Sequence, residues 1–117
     1  MNGEVDSPWI QFEDRSQHLN KLQAFAFQAK KRNVRGKLIS TFRPVTGYKL
    51  TKNSMDFTHV EFNALAPGHF LVVDFLVLFK KDKFKYTAQE TFVYKVLWQE
   101  NLYLVEADEL EEAAKKG

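Results

Sequence analysis

Residues 67–79 read PGHFLVVDFLVLF: a turn pair, then a strand apolar on both faces that carries a single aspartate. Strict alternation places Leu71, Val73, Phe75, Val77 and Phe79 on one face and Phe70, Val72, Asp74, Leu76 and Leu78 on the other. One helix can cover only one of these faces. The second needs a partner subunit, a ligand in a cone-shaped pocket, or the sheet's own curvature together with the N-terminal arm.

On either side of this strand the hydrophobic period changes. Upstream, Ser7 to Asn33 reads as a helix: Ser7 can cap, Pro8 suits the first turn, and Glu13 and Asp14 sit near the positive end. Trp9, Phe12, Leu19, Leu22, Phe25, Ala26 and Ala29 recur at three- and four-residue steps and predict one stripe facing a core. After Gly36 the period is two. KLISTF is a first strand, and THVEFNAL sets Val60, Phe62 and Ala64 on one face before the Pro67-Gly68 turn. Downstream, ETFVYKVLW places Phe92, Tyr94, Val96 and Trp98 on one side, Gln99-Glu100-Asn101 turns, and LYLVEA closes the sheet. The end, residues 108–117, reads as a frayed tail with Glu111/Lys115 and Glu112/Lys116 pairs at helical spacing. The whole is a single α+β domain, 1–117, with a helix at about 8–33 packed on a curved antiparallel sheet of four to five strands over about 37–105.

Composition bounds the function. A chain of 117 residues with 44% hydrophobic content can bury one core unaided, and eleven Phe make that core aromatic. The absence of cysteine excludes disulfides, a thiol nucleophile and thiolate metal sites. No run approaches the length of a membrane span, because LVVDFLVLF is broken by Asp74 and closed by Lys80. MNGEVDSPW has neither the basic nor the apolar part of an export signal. Location is left open: cytoplasmic if the chain is complete, exported if a leader has been removed.

The motifs Arg35-Gly36-Lys37-Leu38, Pro67-Gly68-His69-Phe70 with Val72, Val73, Phe75 and Phe79, Glu90-Thr91, and Tyr103-Leu104-Val105 resemble a group of small domains of unknown function in bacterial exported proteins. More broadly, the helix-on-bent-sheet pattern resembles the cystatin-like and NTF2-like superfold. The likeness covers roughly 34–107, with Tyr103 where that group usually has Trp and no Gly-Tyr after it. It implies an accessory or binding role, and in enzymes of the superfold an acidic residue within the cone moves protons.

No phosphate loop, zinc helix, nucleophile elbow or calcium loop occurs, so no catalytic residue, metal or cofactor is assigned. His18, His59 and His69 lack ligand spacing, although His59 and His69 could meet across a hairpin at Pro67-Gly68. Asp74 must be paired, protonated or wet. Its bland reading is a salt bridge to a lysine on a solvent or interface face; its sharper one is a pocket shared with Glu90, His69 and Tyr94, near Lys95. Two basic runs, Lys30, Lys31, Arg32, Arg35 and Lys37 in one and Lys80, Lys81, Lys83 and Lys85 in the other, could bind an anion or nucleic acid, or simply be a helix end and a hairpin tip. The leading expectation is a non-enzymatic domain that binds a protein partner or a second copy of itself through Phe70, Val72, Leu76 and Leu78, with Tyr94 and Trp98 alongside. A small-molecule pocket centred on Asp74, and nucleic-acid binding, are the alternatives.

Overall fold

A computed structural model describes residues 3–6, 9, 14–50, 59–81 and 88–116. Strands β1 (Gly3–Asp6), β2 (Leu38–Ser40), β3 (Val45–Leu50), β4 (His59–Leu65), β5 (His69–Lys81), β6 (Ala88–Trp98) and β7 (Asn101–Glu106) form one antiparallel sheet in the order β1-β4-β3-β7-β6-β5-β2. Two helices accompany it, α1 (Lys21–Val34) and α2 (Ala107–Ala113). The class is α+β as expected, with seven strands in place of four to five and a second helix.

The helix expected from about residue 8 begins at Lys21. Its cap is Asn20, whose Oδ1 accepts from the Gln23 N–H (2.8 Å) while Gln23 Oε1 accepts from the Asn20 N–H (3.2 Å). This reciprocal box satisfies two donors at the helix start. Residues 16–18 form only a single 3₁₀ turn; Ser7, Pro8, Phe12 and Glu13 lie outside the described residues. At the other end Gly36 takes φ +81°, open to glycine without a Cβ penalty.

Connectivity forces the sheet to roll. Asp6 pairs with His59 of β4, while Trp9, three residues on, bridges to Lys80 of β5. Laid flat, those positions would be six strand spacings apart, about 29 Å at about 4.8 Å each, whereas three residues reach at most about 11 Å. At the opposite end residues 66–68 alone join β4 to β5, four strand positions away. Pro67-Gly68 is therefore a crossing link between non-adjacent strands, clamped by Thr41, whose Oγ1 accepts from the Gly68 N–H (3.1 Å). His59 and His69 consequently do not meet across a hairpin.

The decisive irregularity is in β5. Val72 pairs with Val96 and Asp74 with Lys95, consecutive residues of β6, so Val73 is an extra residue and the register shifts there. A bulge of one residue exchanges the faces of everything beyond it. Phe70 and Val72 therefore join Phe75 and Val77 in the main core, with Phe27, Tyr94, Val96, Val105 and Leu110. The second face carries Leu71 before the bulge and Asp74, Leu76 and Leu78 after it. The unbroken alternation expected across residues 70–79 is corrected accordingly.

Candidate functional site: the open face of the sheet

The main-core face is closed. Phe70 and Val72 have no exposed surface and Tyr94 is 1% exposed, while Trp98 is half-buried, stacked on Phe70 with centroids 6.1 Å apart. Four of the six residues expected to meet a partner thus belong to the main core, and a fifth, Leu78, is buried on the other face. Tyr94 donates its hydroxyl to Glu111 of α2 at 2.5 Å, and Glu111 also accepts from Lys30 of α1 at 3.0 Å. Burial and this bond push the Tyr94 hydroxyl far above its ordinary value. Burial acts to raise the Glu111 carboxyl, but the bonds from Tyr94 and Lys30 outweigh it and leave the group lowered.

The second face has a small core at one end and a bare surface at the other. Trp9 of the N-terminal arm lies over Leu78, Val60, Val93 and Leu104, with Tyr48 and Leu76 beside them. Trp9 and Tyr48 meet edge to face at 5.1 Å. Curvature and the arm together cover Leu78, which is 1% exposed. Beyond Trp9 the face opens into a trough of about 530 Å³ lined by Tyr48, Leu76, Leu104, Asp74, Lys95 and Leu102 among others.

Asp74 sits at the mouth of the bulge. Its Oδ1 accepts from the Phe75 N–H at 2.8 Å and faces Lys31 Nζ of α1 at 3.2 Å. The lysine pairing is the bland reading of this residue. Lys95 is its register partner on β6, while Glu90 is opposite Phe79, far along the strand, and exposed. His69 is bonded through Nδ1 to Ser40 Oγ at 2.7 Å and lies on the other side of Leu71. Asp74, Glu90, His69 and Tyr94 do not assemble: Tyr94 points into the main core, and the rest are spread along β5 and β6. Among the described residues, no group of three His, Cys, Asp or Glu could hold a metal ion.

Past the trough lies a feature that the sequence reading missed. Leu38 pairs with Leu71, Leu71 with Leu97, and Leu97 with Leu102. Directly paired residues share a face, so four leucines cross β2, β5, β6 and β7 in one row. Leu38 is 59% exposed, Leu97 37% and Leu102 44%, with Leu71 half-buried between them. Only the bulge makes the row continuous, because it moves Leu71 onto the face of Asp74 and Leu76. No periodicity in the sequence announces it.

The basic runs are partly spent within the protein. Lys30 pairs with Glu111, Lys31 with Asp74, and Lys80 with Glu106 at 2.9 Å. Arg32, Arg35 and Lys37 are exposed. Lys83 and Lys85 lie outside the described residues, and for Lys81 only the backbone is described. No described helix is long and apolar enough to cross a membrane. No family model, curated protein or solved structure matches this chain, and the cystatin-like and NTF2-like resemblance rests on the sequence pattern alone.

Proposed function

We propose that this chain is a non-enzymatic binding domain that associates with another polypeptide through the open face of its sheet. The observation that carries the reading is the row Leu38–Leu71–Leu97–Leu102. Isolated exposed leucines need no explanation, but a contiguous row across four strands is apolar surface that favours burial by a partner. Of the six residues first expected at an interface, Leu76 lies at the edge of this surface, and Phe70, Val72, Leu78, Tyr94 and Trp98 give way to Leu38, Leu71, Leu97 and Leu102.

The test compares the wild-type chain with Leu97→Asp, chosen because the site already meets solvent and the fold can be checked by circular dichroism. A covered row gives association that the variant loses. A bare row gives binding of the dye 8-anilinonaphthalene-1-sulfonate that the variant loses. A folded variant that changes neither mass nor dye binding would sink the reading.

A second reading comes from the trough. Its volume lies within the range of small-molecule sites, and it reaches Asp74. It would take an apolar molecule with one acidic group, the acid set against Lys95. Filling it with Leu104→Trp should abolish binding of a dansylated medium-chain carboxylate. Binding that survives this substitution would rule the trough out.

A further inference from the structure

Resting on the reading of the leucine row as an association surface, we infer that its occupant is a second copy of this chain, packed face to face about a twofold axis that runs along the row. The argument is one of charge arrangement. The row itself is uncharged, so it gives an apolar contact but no register. Register comes from the residues on either side of it.

On β6, Lys95 lies two residues to one side of Leu97, and Glu100, in the β6–β7 turn, lies three residues to the other. On β5, Asp74 lies beyond Leu71 on the side of Lys95, past the bulge, and His69 lies two residues from Leu71 on the side of Glu100. A twofold rotation about the row reverses strand direction and leaves position across the sheet unchanged. It therefore sets Lys95 against the second copy's Glu100, and Asp74 against the second copy's His69, each contact occurring twice. Two residues of strand span about 6–7 Å, and Glu100, in the turn, lies one residue farther from the axis than Lys95, a difference that a lysine side chain spans. This is the self-complementarity that an isologous interface requires.

Two of these four groups have no partner among the described residues, and the other two, Asp74 and His69, are each engaged through one polar atom, Oδ1 and Nδ1. Lys95 and Glu100 have no side-chain hydrogen bond or ion pair among the described residues. The Asp74 contacts to the Phe75 N–H and Lys31 both use Oδ1, which leaves Oδ2 for the imidazole of the second copy. Burial of a lone lysine would be costly, and an opposing carboxylate offsets part of that cost. The α1 surface is a poorer place for a second copy. Lys21 and Arg32 flank the exposed Leu22 and Phe25, α1 has no acidic residue, and antiparallel self-pairing would bring like charges together.

The experiment is solution mass by light scattering over a range of concentrations, on the full chain and on Leu97→Asp, Lys95→Glu, Glu100→Lys and the Lys95→Glu/Glu100→Lys double variant. Dye binding is measured on the same samples. The wild type should be a dimer and Leu97→Asp a monomer. Each single reversal should weaken the dimer about tenfold or more, and the double variant should return to within about threefold of wild type, because the exchanged charges still face each other. A wild-type monomer that binds the dye through the row would overturn the second copy and keep the association surface for a different partner. A dimer unaffected by Leu97→Asp would overturn both. A dimer lost in Leu97→Asp but not rescued by the double reversal would overturn the twofold arrangement alone. If a dansylated carboxylate binds, and Lys95→Glu abolishes that binding in a monomeric wild type, Lys95 serves the trough and the dimer is wrong.

Discussion

The two helices differ in a way their sequences conceal. α1 has fourteen residues and buries two, Phe27 and Val34; α2 has seven and buries three, Ala107, Leu110 and Ala113. The regular stripe of α1, Leu22, Phe25, Ala26 and Ala29, turns away from the sheet, leaving Leu22 83% and Phe25 74% exposed. The helix instead touches the core through Phe27, stacked on Phe75 at 5.1 Å, and through its ion pairs with Asp74 and Glu111. The unremarkable end of the chain does the reverse and lays Leu110 across the centre of the main core. Amphipathic periodicity thus says that a helix has an apolar side; it does not say what that side faces.

If α2 closes the core and α1 is a clamp on its rim, substitutions should separate them by size. Leu110→Ala should cost about 3 kcal/mol, since Leu110 has no exposed surface and little can collapse into the space. Urea denaturation measures it, and a loss below 1 kcal/mol would demote α2 to the loose tail the sequence suggested. Next comes the junction between the helices. Tyr94→Phe removes a hydroxyl donated to a carboxylate and should cost about 1–2 kcal/mol; a neutral result would mean the Tyr94–Glu111–Lys30 junction does not couple the helices.

The same junction has a pH signature. The Glu111 carboxyl is lowered in the folded state, so its contribution is complete above the unfolded value of about 4.3 and is lost as pH falls through the lower folded value. Thermal melts between neutral and acid pH should show a steeper acid-side fall for wild type than for Glu111→Gln. Equal slopes would contradict the assignment. The smallest effect is expected on the outer face of α1, where Leu22→Ala and Phe25→Ala should each change stability by no more than about 0.5 kcal/mol in the monomer. A loss near that of Leu110→Ala would show that this stripe is buried in solution.

These contrasts mark how far the residues could be read in advance. Strand existence was legible wherever alternation was strong: the main-core side of β6, Phe92 to Trp98, lies on one face as its period implies, and the Gln99-Glu100 turn adopts positive φ of 46° and 69°. The pairing of Asp74 with a lysine was legible too, because a carboxylate in an apolar strand has few affordable environments. The helix start was misplaced because Ser7-Pro8 imitates a cap, whereas the working cap is the reciprocal Asn20–Gln23 pair. The candidate interface was misassigned for one reason. A bulge at Val73 has no marker in the sequence, there being no glycine or proline at the site, yet it moves Phe70 and Val72 to the inside and Leu71 to the open face.

The sequence by itself determined the fold class, the strand-rich order after Gly36, the lack of cysteine chemistry and the need to cover a second apolar face of β5. These follow from composition and from periods that local sterics impose on every strand and helix. Tertiary structure alone decided which residues share that face, where Trp9 covers it, and that the leucines of β2, β5, β6 and β7 fall in line. Register, roll and bulge are set by contacts between segments far apart in the chain, and no local pattern carries that information.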